Sequence, residues 1–140
     1  MHRNKLLLGI VLLLFFISFL GWSIRPKLKC SMCSRAVKAQ TVHILKLKEN
    51  EIKLCCCAHC GLMLQKQLKD KVKLSYATDY ETGEFVKAEE AYYVKDSDLI
   101  PCCVPSILAF ATEEKAIAFQ KENKGKVLTF EYIMAEPLHK

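Results

Sequence analysis

Eight cysteines in 140 residues are the side chains of this chain with the most chemistry to offer. They fall in three groups: Cys30 with Cys33; Cys55, Cys56, Cys57 and Cys60; and Cys102 with Cys103. Adjacent cysteines cannot easily bridge each other, because disulfide geometry is strict. A disulfide scaffold spaces its cysteines so that each staples a different loop, so the clustering favours a metal site. A Cys-x-x-Cys turn lets two thiolates converge on one ion. Two such turns occur here, Cys30–Cys33 and Cys57–Cys60. With a hairpin between them, they have the layout of a zinc ribbon, in which four thiolates complete a tetrahedron.

Three features point to copper(I) instead. Met32 lies inside the first pair and Met63 just after the second, and a thioether is a copper(I) ligand that zinc seldom accepts. Cys55 and Cys56 exceed what a closed zinc site needs. Cys102 and Cys103 stand between Pro101 and Pro105, far from where a ribbon would use them. The candidate ligands are therefore Cys30 and Cys33 first, then Cys57, Cys60 and Cys102, with Met32, Cys103 and His59 in supporting positions. The metal expected is Cu(I), with Zn2+ as the alternative.

Other residues have plainer readings. Cys55, on a strand, fits a small buried hydrophobe, and Met63, on the apolar side of a helix, fits core packing. His43 reads as a surface or hairpin residue. Tyr76, Tyr80, Tyr92 and Tyr93 read as sheet packing, and Asp79 as a turn-capping residue. The sequence contains no glycine-rich phosphate loop, Ser/His/Asp set or carboxylate pair with an evident role, so no catalysed step and no small-molecule substrate are expected. Thioredoxin-like redox work is the third option for a Cys-x-x-Cys. Against it, Cys30 follows a charged linker and the second pair lacks the usual tryptophan and proline company.

The elements that must position the thiols follow from the pattern. Thr41–Leu47 and Ile52–Cys56 predict a hairpin around Glu49-Asn50-Glu51. Ala58–Lys71 predicts a helix with Leu62, Leu64 and Leu68 on its apolar side. Val72–Ala77 predicts a strand, followed by a turn with Gly83 at positive φ. Phe85–Ala88 and Tyr92–Lys95 predict two short strands. Thr112 is a suitable N-cap, with Glu113 and Glu114 in the first turn, for a helix running to Asn123 and ended by Gly125. Val127–Phe130 predicts a last strand, and Glu131–Met134 a last turn. The order β-β-α-β-β-β-α-β implies an α+β domain, a small mainly antiparallel sheet with helices on one face.

Ahead of this domain, residues 6–24 read LLLGIVLLLFFISFLGWSI. This uncharged run would extend about 28 Å as a helix, close to the hydrocarbon thickness of a bilayer. The expected division is a transmembrane anchor over 1–24, a linker over 25–29 and a metal-binding domain over 30–140. A cleaved signal peptide is the rival reading, but Trp22 between Gly21 and Ser23, with Pro26 close behind, makes a poor cleavage site. The soluble domain is expected on the extracytoplasmic, periplasmic side of a single-pass anchor. The formal net charge of +6 is spread over the anchor flanks and mixed with acids further on. It forms no basic stripe interleaved with aromatics, so no nucleic-acid partner is expected.

The soluble part resembles the NosL family, copper-binding accessory proteins of nitrous oxide reductase. The likeness runs from Cys30 to about Met134. It rests on Cys30-Ser31-Met32-Cys33, on Thr78–Ala88 followed by Ala91-Tyr92-Tyr93-Val94, and on Ala109-Phe110-Ala111, Ala116–Phe119 and Gly125–Phe130. The resemblance implies a membrane-attached, extracytoplasmic domain that binds copper(I) and passes it to a copper enzyme or another copper-handling protein. There are departures. The family usually has a methionine shortly after its second cysteine, where Ser34-Arg35 stand here. It often has Pro-Met-Gly where Pro101-Cys102-Cys103 stands. The alternative from the residues alone is a structural zinc-ribbon interaction module on a membrane.

Overall fold

A computed structural model of the chain describes residues 27–138. Seven strands and three helices follow in order: β1 (His43–Leu47), β2 (Ile52–Cys55), α1 (Ala58–Leu68), β3 (Val72–Thr78), β4 (Phe85–Lys87), β5 (Tyr92–Lys95), β6 (Ile107–Phe110), α2 (Glu113–Asn123), β7 (Lys126–Leu128) and α3 (Phe130–Ala135). The α+β class holds, but the single expected sheet is two. One has the strand order β2-β1-β3-β4 and the other β6-β5-β7, with every strand pair antiparallel. β6 is the strand missing from the sequence reading. It is buried at all four positions, so it shows no period-2 alternation, and a short continuous apolar run is ambiguous.

The two sheets are joined where the chain leaves the end of β3 and meets β6. A parallel bridge pairs Asp79 with Ala109, and the Tyr80 N–H donates to the Ala109 carbonyl at 2.9 Å. Asp79 does more than cap its turn. Oδ1 accepts from the Glu81 and Thr82 N–H groups, and Oδ2 accepts from the Ala111 N–H at 2.7 Å, on the other sheet. These donors hold the carboxyl below its usual range against the opposing effect of burial, with Lys115 adding to them.

α1 touches both sheets, contacting β1, β2 and β3 on one side and β6 on the other. It is therefore buried around more of its circumference than a surface helix, at Ala58, His59, Cys60, Gly61, Leu62 and Leu64. It separates two cores. Ala58 and Leu62 pack with Ala77, Tyr93, Ala109 and Ile133, while Cys60 and Leu64 pack with Leu45 and four other cysteines. Met63 borders the first core, in keeping with its packing role.

β1 buries His43, Leu45 and Leu47 on its inner face. His43 is thus not at the surface but fully buried, bonded through Nε2 to the Ser75 hydroxyl at 2.8 Å. Adjacent Ile44 and Leu45 leave the inward face of this strand ambiguous in sequence. What admits the ring is Gly61 on α1, which has no Cβ to meet it.

Several local expectations hold. Thr112 caps α2 by accepting from the Lys115 N–H, and Gly125 follows that helix at φ +93°. Gly83 takes φ +76° in its turn. The helix expected to reach Lys71 ends at Leu68 in a 3₁₀ turn, Lys69–Lys71. The last strand stops at Leu128, and the expected last turn is the short helix α3. No helix among the described residues is long and apolar enough to cross a membrane; the apolar run expected to do so, 6–24, lies outside them.

Candidate metal centre

Three chain segments bring the thiols together. The first is a tight turn, closed by the Lys29–Ala36 bridge and by Cys30 N–H to the Arg35 carbonyl at 2.8 Å. Ser34, at φ 61°, reverses the chain, and Ser31 N–H donates to the Leu54 carbonyl at 2.7 Å, docking the turn on β2. The second is the passage from β2 into α1. Thr41 Oγ1 fixes the Cys56 carbonyl at 2.7 Å, Cys57 is the N-cap residue, and Cys60 sits in the first turn. The third is the loop carrying Cys102 and Cys103. Buried Ser97 and Ser106 close its base, their hydroxyls 2.9 Å apart and both bonded to the Leu99 carbonyl. Arg35 ties this loop to the first turn by donating to the Cys102 carbonyl at 2.8 Å.

Cys56 is the hub. Its Sγ lies 3.4 Å from Cys33, 3.6 Å from Cys60, 3.7 Å from Cys103 and 3.8 Å from Cys57. Cys60 lies 3.8 Å from Cys33 and 3.7 Å from Cys103. All eight cysteines are free. Sulfurs held about 2.3 Å from one tetrahedral ion are separated by about 3.8 Å along each edge. The observed separations match that edge and are far longer than a disulfide bond of about 2.05 Å. Two groups have ligand atoms mutually within 4.8 Å: Cys30, Cys33, Cys56 and Cys60; and Cys56, Cys57, Cys60 and Cys103.

Of the sequence candidates, Cys30, Cys33, Cys57, Cys60 and Cys103 are brought together. Cys102 stands beside Cys103, its Sγ 3.7 Å away. Met32 is half-buried against the cysteine core, and its N–H points at the Cys30 sulfur at 3.4 Å. His59 is not brought to the thiols: its Nε2 bonds the Leu138 carbonyl at 2.9 Å. Two positions after Cys57 and one before Cys60, on a different side of α1, the ring is directed at the C-terminal segment. Cys56, the hub, was not among the candidates. Its only signal was its place in an unbroken Cys55-Cys56-Cys57 run, which does not say which of three sulfurs turns inward. Cys55 is fully buried on its strand, as a small hydrophobe would be.

The thiols do not titrate alike. A hydrogen bond from the Cys60 thiol, helped by the Cys60 backbone N–H, outweighs burial and brings Cys57 down to about 5. Cys57 also lies at the N-terminus of α1, where the helix dipole favours an anion. Cys60 is driven far up, first by donating to Cys57 and then by burial. Burial leads the upward shifts of Cys56, Cys102 and Cys103, the last to about 12. For Cys30 burial acts upward, but N–H groups of Cys33, Cys56 and Met32 prevail and set it at about 7. The metal-free cluster therefore holds a thiolate at Cys57 and a readily ionised Cys30 beside Cys56, Cys60, Cys102 and Cys103, which keep their protons. A soft cation replaces those protons when it binds. Arg35 is favoured in its charged form by Cys103 and then Cys102 once these ionise, and it offsets part of the negative charge they would carry with a metal.

A redox role fits this arrangement poorly. Cys57–Cys60 does open a helix, as a redox pair should, but Cys57 is only 3% exposed and a disulfide substrate must reach the attacking sulfur. Cys33 is the exposed member of the cluster. A hollow of about 470 Å³ lies elsewhere, between Tyr80, Phe110 and Phe119, and has no thiol in its lining.

Fold and site together define a small α+β domain with a sulfur-rich cluster suited to a soft metal ion. The sequence profile of the NosL family matches residues 23–138, and the chain belongs to that family. It is similar to the HTH-type transcriptional repressor CutR of Bacillus subtilis, 32% identical over 111 residues, which are 78% of this chain and 58% of that protein. The chain thus spans little more than half the length of that relative. The crystal structure of the copper chaperone NosL from Shewanella denitrificans has the same fold, with a TM-score of 0.69 at 20% identity over 78% of this chain and 91% of that one.

Proposed function

We propose that this chain binds copper(I) through its clustered thiolates and hands it to a copper-handling partner without catalysing a reaction. The observation that carries the reading is the convergence of three segments on one mostly buried sulfur cluster with a single exposed thiol, Cys33. Copper(I) accepts two or three soft ligands, so a partner's sulfur can enter before one of the chain's own leaves. Cys33 is where it enters. The Arg35 tie and the half-buried Cys102 and Cys103 form the side of the site that must loosen. The metal stays copper(I) throughout; each departing thiolate takes up a proton. Membership of the NosL family and the fold shared with a copper chaperone support the choice of copper over zinc. We extend the proposal to residues 6–24 as a single-pass anchor, an extracytoplasmic site of action and a copper enzyme such as nitrous oxide reductase as client.

The similarity to a transcriptional repressor favours a second reading, in which the same domain senses copper and reports occupancy to a partner. The two readings differ in whether copper leaves. The test loads the full chain, in detergent and under reductant without oxygen, with copper(I) and mixes it with a metal-free copper(I)-binding acceptor protein. Transfer whose rate rises with acceptor concentration supports delivery. Copper that leaves only by slow, acceptor-independent dissociation supports sensing and overturns delivery.

A further inference from the structure

The two four-sulfur groups are not alternatives. They share Cys56 and Cys60, whose sulfurs are 3.6 Å apart, and each has two members of its own: Cys30 and Cys33 on one side, Cys57 and Cys103 on the other. One ion cannot sit about 2.3 Å from six sulfurs, because four already fill a tetrahedron. Two ions can, if the shared pair bridges them. Thiolates bridge readily between monovalent soft ions, whose low coordination demand leaves sulfur lone pairs free. Burial supplies a second reason. A lone copper(I) among buried thiolates leaves a net negative charge that is costly in a low-dielectric interior. Sharing Cys56 and Cys60 lets six thiolates serve two ions where separate four-sulfur sites would need eight, so less negative charge is buried per ion.

From this we infer that the site is a polynuclear copper(I)–thiolate cluster: at least two ions, bridged by Cys56 and Cys60, one held further by Cys30 and Cys33 and the other by Cys57 and Cys103. The inference rests on the copper reading above and makes it more specific. It also accounts for the thiols in excess of a mononuclear site. Cys56, absent from both Cys-x-x-Cys pairs, becomes a bridge, and the Cys102–Cys103 loop supplies, with Cys57, a terminal ligand of the second ion.

The experiment is an oxygen-free titration of the reduced full chain in detergent with copper(I) against a calibrated chelator, followed by X-ray absorption of the saturated protein. The expected result is about two copper(I) ions per chain, with sulfur ligands and a copper–copper scattering path. Cys57→Ser and Cys30→Ser should each lose one ion and the copper–copper path while keeping the other ion. Cys56→Ala should lose both. Circular dichroism of each variant checks the fold, and the wild-type stoichiometry stands as a test even if a variant unfolds. One tightly bound copper(I) with no copper–copper path would overturn the cluster and leave the copper reading intact. No copper(I) binding at all would overturn both.

Discussion

Replacing Gly61 by alanine tests how the thiol cluster is held in place. Gly61 follows Cys60 on α1, directly over the buried ring of His43. A Cβ there would lie 2.7 Å from the His43 Cβ and nearer still to Cγ and Cδ2. A normal carbon–carbon contact is about 3.5 Å, so the overlap is at least about 0.8 Å. His43 cannot retreat easily, because it is fully buried and bonded to Ser75. Overpacking of this kind costs about 3 kcal/mol, while alanine in a helix gains about 1 kcal/mol over glycine, so clash wins by about 2 kcal/mol. The chain's easiest response is to lift the first turn of α1 from β1, and that turn carries Cys60. A shift near 1 Å would break sulfur–sulfur separations of 3.6–3.8 Å, so copper(I) affinity should fall at least tenfold. Urea unfolding gives the stability change, and chelator competition gives the affinity. Adding His43→Ala should make the pair of mutations markedly less damaging than the sum of the singles. If Gly61→Ala keeps both stability and affinity, or if the two changes simply add, the seat of α1 on His43 does not position the site.

The remaining predictions concern the same supports. Burial lowers His43 from 6.5 to about 4, so the unfolded chain takes up a proton below pH 6.5 that the folded chain refuses until about pH 4. The contribution is fully present above pH 6.5 and is lost as pH falls to 4, by about 3 kcal/mol; urea midpoints across that window should show it, and His43→Gln should flatten the slope. Asp79→Ala removes the acceptor that joins the β3–β4 turn to Ala111 and should cost about 3 kcal/mol, measured by thermal unfolding; a loss within experimental error would mean that the sheets do not depend on this carboxylate. Arg35→Ala unties the Cys102–Cys103 loop and should speed removal of copper(I) by a chelator several-fold in stopped-flow, with the fold unchanged. An unaltered rate would place the loop outside the path of exchange.

Much of this was written in spacing and caps. Thr112, Gly83 and Gly125 announce local geometry that needs no tertiary help, and the elements they bound stand where expected to within a few residues. β6 was hidden because burial on both faces removes alternation, and without it the second sheet could not be counted. His43 was misplaced because the inward face of β1 is set by a glycine 18 positions later, a tertiary fact with no local mark. The thiols Cys30, Cys33, Cys57 and Cys60 were marked by their turns. The central position of Cys56 was not, since a run of three cysteines says that sulfur is wanted but not which sulfur points inward. His59 looked like a ligand only while its helix phase was unknown.

Competition between copper(I) and zinc for the reduced full chain bears most directly on the central claim. The account predicts that stoichiometric copper(I) displaces bound zinc, and that the absorption edge then reports copper(I) in a shell of mainly sulfur. Zinc that resists copper(I) and keeps four sulfurs around it would contradict the account and make the cluster a structural zinc site.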